Sequence, residues 1–401
     1  MLQIKITKLF SILILISVGC SENNPEPNIS VSPNNIELSG FATQIDITIN
    51  SNTRWTLSSN ESWISYDLES GSGTHVIRVN VADNPETVIR SSFIKVANDS
   101  ELPTITINIT QLPKVEIVAG GNGPGPNLRQ LFEPAGICLD VSRNLYVVDQ
   151  LNQRVVRWSP GSAIGINVAG GNGAGEELYQ FNNPYGIFVK EDGIIYVSDL
   201  GNNRITKWQP ASNTGIIVAG GNGSGNNLNQ LNGPNGLHVD INDTIYISEG
   251  ANSRISKWAS GDMTGKLVAQ TILTDLPNSM FRDANGDIYV VSGDYVAKFE
   301  AGTNAGSIVA GNNGFGDDLN QLNDPTGIYV TANGDLYISD QGNNRILKWP
   351  LEANQGIVVA GGNGKGSRID QLDYPIGIWL DEEGNIYISD RGNHRVVKWY
   401  K

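Results

Sequence analysis

One pattern returns along the chain from residue 115 onward. A VAGGNG or VAGNNG stretch is followed by a Pro-x-Gly-apolar start, an Ile-Tyr-x-Ser-Asp segment and an Arg-apolar-x-Lys-Trp segment. Its landmarks keep step. Pro134, Pro184 and Pro234 lie 50 residues apart, as do Pro325 and Pro375, and the acids Asp149, Asp199, Glu249, Asp340 and Asp390 follow them by 15. A shortened copy between Glu249 and Asp340, marked by Leu276-Pro277, Asp287 to Val291 and Ala297 to Phe299, brings the copies to six. A period of that length restricts the fold to a repeat architecture, in which each unit buries its apolar face against the next.

Each copy reads as four short strands with turn-forming Gly, Asn and Asp between them: a from the Pro-x-Gly run, b ending at the acid, c from Arg to Trp, and d ending in the glycines. Four strands make a propeller blade. The fold class is therefore expected to be all-β, with a six-bladed β-propeller. A d-like strand, Val115 to Ala119, precedes the first a strand, and the last copy stops on its c strand at Trp399. The early strand is expected to complete the last blade, closing the ring and removing exposed sheet edges.

The D-x-x-N-x-R-[IV] pattern of Asp149 to Val155, Asp199 to Ile205, Asp340 to Ile346 and Asp390 to Val396, with Asn393-His394-Arg395 inside the last, resembles the NHL repeat family. The resemblance covers residues 115–401. It implies a six-bladed propeller that generally serves as a binding platform, in a superfamily that also includes lyases and lactonases. Fold alone does not choose among these.

Ahead of the ring, Lys5 and Lys8 precede an apolar run from Leu9 to Val18 and then Gly19-Cys20. The run is too short to span a bilayer and reads as a secretory signal over residues 1–19. Cys20 after a small residue resembles the bacterial lipobox, which implies lipidation at Cys20 and an outer-membrane lipoprotein of the cell envelope, facing periplasm or exterior. Residues 20–28 read as a polar tether. Residues 29–113 alternate apolar and polar, as in Gln44 to Ile49 and His75 to Val81, which suggests a small Ig-like β-sandwich. Trp55, Trp63-Ile64, Gly71-Ser72-Gly73, Asn84 and Arg90 give this segment a resemblance to the BACON domain of Bacteroidetes, for which carbohydrate binding and a spacer role both stay open. Trp55 and Trp63 are expected in the core. The ring is assigned residues 114–401.

The formal net charge of -14 argues against a basic nucleic-acid-binding face and against an anionic membrane surface, leaving the N-terminal lipid as the membrane contact. Cys138 is the one cysteine besides Cys20, and it stands where other copies have Phe188, His238, Phe281, Tyr329 and Trp379, so it reads as a packed residue. The three histidines, His75 in the sandwich, His238 on an a strand and His394 in a b–c turn, form no cluster that could gather on a zinc ion. Asp283 to Asp287 imitates the start of a calcium loop but falls where Thr331 to Asp335 makes an a–b hairpin turn. No cofactor is assigned, and calcium stays open because scattered carboxylates leave no linear motif.

Five acid–arginine pairs recur: Asp149 with Arg154, Asp199 with Arg204, Glu249 with Arg254, Asp340 with Arg345 and Asp390 with Arg395. The shortened copy puts Ser292 and Tyr295 in these places, and loss of both together marks a structural ion pair rather than a catalytic one. The d–a loops are long and the opposite turns short, which nominates the long-loop face for recognition. Gln130, Gln180, Gln230, Gln321 and Gln371 are expected to fasten those loops. Directly after the prolines come Ala135, Tyr185, Asn235, Asn278, Thr326 and Ile376. Tyr185, Asn235, Asn278 and Thr326, with Phe315 and Tyr374 further out, are the candidate ligand-binding residues, beside a notch left by the shortened fourth loop. The resulting expectation is a non-catalytic envelope protein recognising a glycan or a protein partner. A divalent-cation-dependent hydrolase or lyase is the alternative, and a structural accessory of a polysaccharide-uptake system a third.

Overall fold

The computed structural model describes residues 26–84, 86, 88–270 and 276–401, which divide into two compact units between Val115 and Glu116. The signal segment, Cys20 and the centre of the shortened loop, where the notch is expected, lie outside the described residues.

The first unit contains β1 (Ile29–Ser32), β2 (Asn35–Leu38), β3 (Thr43–Ser51), β4 (Arg54–Ser58), β5 (Ile64–Tyr66), β6 (Ser70–Ser72), β7 (His75–Val81), β8 (Arg90–Asn98) and β9 (Ile105–Gln111). They form two sheets, β1-β3-β7-β5 and β2-β9-β8-β4-β6. Because side chains alternate across a strand, the period-two pattern turns one row of each sheet inward. Ile47, Ile49, Ile77 and Val79 meet Ile94, Val96, Ile107 and Ile109 in one core, all 0% exposed. Each such burial contributes about 1.5–3 kcal/mol. Both tryptophans are used in packing. Trp55 is 1% exposed, and a Cβ on Gly71 would come within 2.6 Å of its ring, which is why glycine faces it. Trp63 lies against the same core with the Arg90 guanidinium 4.1 Å from its ring centroid.

The second unit is built from six four-stranded sheets among the described residues. In the first, a is Pro134–Leu139, b Leu145–Asp149, c Arg154–Trp158 and d Ile166–Gly170. The other a strands start at Pro184, Pro234, Pro277, Pro325 and Pro375. In the sixth sheet the outermost place is taken by β10 (Val115–Gly120), beside the c strand Arg395–Trp399. The strand that opens this unit thus completes its last sheet. Successive a strands neighbour one another, and the sixth neighbours the first, so the inner strands run in a closed ring around a channel. The repeated Gly after the proline permits that approach: a Cβ on Gly327 would lie 2.0 Å from the carbonyl oxygen of Ile376 in the next sheet.

Candidate functional site

The long d–a loops are held by the acid–arginine pairs. Asp149, fully buried, accepts hydrogen bonds from the Phe132 backbone N–H at 2.7 Å, from Asn152 Nδ2 at 2.8 Å and from Arg154 Nε at 2.7 Å. Burial pushes this carboxyl up, and those donors pull against it. Arg154 then reaches past the b–c turn and donates to the carbonyls of Pro126, Asn127 and Gln130. Arg204, Arg254, Arg345 and Arg395 repeat the arrangement, with Nε–carboxylate distances of 2.7, 2.8, 2.6 and 2.7 Å to Asp199, Glu249, Asp340 and Asp390. In the fourth sheet the same register sets Ser292 opposite Tyr295. Gln130 Nε2 closes its loop onto the Asn122 carbonyl at 3.0 Å, and Gln180, Gln230, Gln321 and Gln371 bond likewise.

A second set of contacts ties each sheet to the next at the mouth. The residue before the proline has positive φ at Glu133, Asn183, Gly233, Asp324 and Tyr374, between 49° and 65°. A non-glycine residue ahead of proline resists this region, so each needs a clamp. At four of the five the preceding sheet supplies one from the residue ending its b–c turn. Gln153 Oε1 accepts the N–H of Asn183 at 2.7 Å, Asn203 Oδ1 that of Gly233 at 3.0 Å, Asn344 Oδ1 that of Tyr374 at 2.9 Å, and His394 Nδ1 that of Glu133 at 3.2 Å.

The residues after the prolines divide the mouth into two halves. Asn235 Nδ2 donates to the Pro277 carbonyl at 3.0 Å, Asn278 Nδ2 to that of Pro325 at 3.2 Å, and Thr326 Oγ1 to that of Pro375 at 3.1 Å. Each of these three candidates therefore spends a donor on joining the third to the sixth sheets. In the other half Ile376 and Ala135 have no side-chain group to donate, and Tyr185 packs against the apolar cluster that contains both. Burial pushes the Tyr185 hydroxyl up to about 12, with Arg391 lowering it and Asp324 raising it, and the hydroxyl has no hydrogen-bond partner among the described residues. Arg391 Nε donates to Glu133 Oε2 at 3.0 Å across the junction of the sixth and first sheets.

Below the mouth lies a cavity of about 190 Å³, whose wall includes Tyr185, Asn235 and Thr326 and contains no Asp, Glu, Lys or Arg. Its far end is an aromatic belt: Phe188 meets His238 at 4.9 Å between ring centroids, Phe281 meets Tyr329 at 5.0 Å, and Tyr329 meets Trp379 at 5.5 Å. Cys138 continues this belt, 1% exposed, its thiol pushed up to about 12 by burial. Phe315 and Tyr374 do not line the cavity. Phe315 is 65% exposed, and Tyr374 lies under Lys365, whose Nζ is 4.1 Å from the ring centroid and 3.1 Å from Asp373.

Sequence reasoning passed over Gln150. It follows Asp149 directly, at the place where the third sheet has Gly250, and a Cβ there would meet Asn235 Nδ2 at 2.8 Å and the Pro277 carbonyl at 3.4 Å. That position faces the mouth. Gln150 is 3% exposed, yet its Oε1 has no hydrogen-bond partner. The Asp283 segment closes as a turn, with Asp283 Oδ1 accepting the N–H groups of Asn285 and Asp287. Among the described residues no three His, Cys, Asp or Glu side chains converge in a way that could hold a metal.

Two segments, residues 322–349 and 372–399, match the NHL repeat family. The chain carries NHL repeats. No curated protein matches it. Among solved structures, the NHL-bearing chain is similar to a protein of unknown function from Bacteroides thetaiotaomicron, at 15% identity over 94% of this chain and 99% of that one, with a TM-score of 0.54. It is similar to an auxiliary nutrient binding protein from Bacteroides ovatus at 13% identity over 93% and 97%, TM-score 0.55. A gluconolactonase from Xanthomonas campestris aligns at 14% identity over 71% of this chain and 89% of its own, TM-score 0.51. At these identities the likeness is one of fold: all-β, with propeller-like repeats. No helix among the described residues is long and apolar enough to cross a membrane.

Proposed function

We propose that this chain is a non-catalytic binding protein of the cell envelope, whose NHL repeats form a six-bladed propeller that recognises a neutral, polyhydroxylated ligand, a glycan, at the channel mouth. The observation that carries the reading is Gln150 Oε1, buried at the mouth without a donor. Buried acceptors are rarely left so, and a hydroxyl is the donor that a glycan supplies in number. Tyr185, in the wall of the cavity, adds an unpaired hydroxyl and an aromatic face, and that wall, without Asp, Glu, Lys or Arg, suits a neutral ligand. The reading needs no cofactor. It keeps an Ig-like, BACON-like sandwich over residues 29–113 as the spacer, lipidation at Cys20 as the anchor, and the outer membrane as the location.

The test is a glycan array and titration calorimetry on the protein lacking residues 1–19, with wild type and Gln150→Ala compared. Saturable binding of a neutral oligosaccharide that weakens about tenfold in the variant, near the 1–1.5 kcal/mol of one hydrogen bond, is the expected result. Binding indifferent to Gln150 and Tyr185, or no glycan binding beside capture of a protein partner, would sink this reading.

A further inference from the structure

Arg282 ends the fourth a strand where the other sheets have Leu139, Val189, Val239, Val330 and Leu380. Its guanidinium lies over the ring of Tyr246 in the third sheet, 4.8 Å from the centroid. Its Nε is buried without a hydrogen-bond partner, and the side chain forms no ion pair among the described residues. An arginine in an aliphatic position with an orphaned donor lowers stability, and proteins retain such groups where they are used.

A second cation is set against the same tyrosine by strand register. In every sheet the b-strand tyrosine faces a c-strand cation in register, and Tyr246 faces Lys257. Elsewhere a carboxylate neutralises the lysine: Lys207 is 3.8 Å from Asp243, Lys298 2.8 Å from Asp287, Lys348 2.8 Å from Asp335 and Lys398 3.4 Å from Asp381. Lys257 has no such partner among the described residues. Arg157 of the first sheet also lacks one, but the neighbouring a strand ends there in Val189, so no second cation joins it. The acids in the adjoining turns, Asp240 and Asp283, each accept two backbone N–H groups of their own hairpin at Oδ1. In a chain of net charge -14, one tyrosine thus has a guanidinium over its ring and a lysine opposite it in register, neither of them in an ion pair among the described residues.

We propose that Arg282 and Lys257, beside Tyr246, form a binding site for a carboxylate group on the a–b hairpin side of the ring, opposite the channel mouth. A guanidinium matches the planar geometry of a carboxylate, the ammonium adds a second point charge, and the overall negative charge disfavours ligands of higher valence. The carboxylate belongs to an acidic sugar or to an acidic side chain, and the probes separate the two.

The experiment uses the chain lacking residues 1–19 with galacturonate, N-acetylglutamate, galactose and inorganic phosphate as probes, read by titration NMR for wild type, Arg282→Val and Lys257→Met. Binding of one or both carboxylates but not of galactose, weakened at least tenfold in both variants, is the expected result. Preference for galacturonate assigns the site to an acidic sugar, and preference for N-acetylglutamate to an acidic side chain. Arg282→Val is also expected to raise the melting temperature in the absence of ligand, since valine is the repeat's own residue there. A lower melting temperature would make Arg282 a packing contact and overturn the site. Carboxylate binding unchanged in Arg282→Val, absent from the wild type, or weaker than phosphate binding would overturn it too. Neither result depends on Gln150, so the two sites stand or fall separately.

Discussion

His394 Nδ1 accepts the backbone N–H of Glu133, 261 residues earlier in the chain, at 3.2 Å. The imidazole acts here as an acceptor through Nδ1, and the contact joins the sixth sheet to the first. Asn203 and Asn344 make the same bond at other junctions from the same left-handed conformation. His394→Asn should hold stability to within about 0.5 kcal/mol, whereas His394→Leu, which loses the acceptor and strains a positive φ, should cost about 1–3 kcal/mol. Urea unfolding of the two variants checks this.

The acid–arginine pairs make an asymmetric prediction. Arg204→Met leaves Asp199 fully buried without its cation and should lower stability by about 3–5 kcal/mol. Replacing both residues with the fourth sheet's own pair, Asp199→Ser with Arg204→Tyr, removes the buried charge and should recover part of that loss. A double variant no more stable than the single one in chemical denaturation would refute the argument.

How much of this was readable beforehand depends on what the repeat repeats. The six copies, their strands and the acid–arginine pairs are periodic, so one chain supplies its own internal comparison. Side-chain direction is not periodic in that way. Asn235, Asn278 and Thr326 stand out as departures after the proline, but sequence does not say that their donors end on the next sheet's carbonyl. Gln150 and Arg282 were discernible in principle by setting them against Gly250 and against Val239. Their significance lies in unpaired atoms, which only coordinates reveal.

His238 gives the ring a pH response. Burial first, then Arg282, push its imidazole down from 6.5 to about 4, with Asp240 opposing. Between those values the unfolded chain holds a proton that the folded one does not, so stability rises with pH across the window. The contribution is complete above 6.5 and is lost as pH falls toward 4. His238→Phe, the residue type found at Phe188 and Phe281, should remove this dependence. Denaturation midpoints at pH 7.5 and pH 5 should differ less in the variant than in wild type.

Gln150 separates stability from binding. Gln150→Leu removes a buried acceptor that has no donor, and the denaturation midpoint should rise. Glycan affinity should fall at the same time. A variant that loses stability instead would show that the amide is structural.

Placing β10 beside the last c strand has a consequence for the order of events during synthesis. This strand emerges from the ribosome well before its partner, Arg395–Trp399, exists. Its backbone edge has to wait while every intervening sheet is made, and the loop it then closes spans nearly the whole unit. Such long-range pairing is slow, because chain entropy is lost before the contact is gained. Completion of the ring is thus expected to be a late event, with the earliest strand of the unit settling among the last.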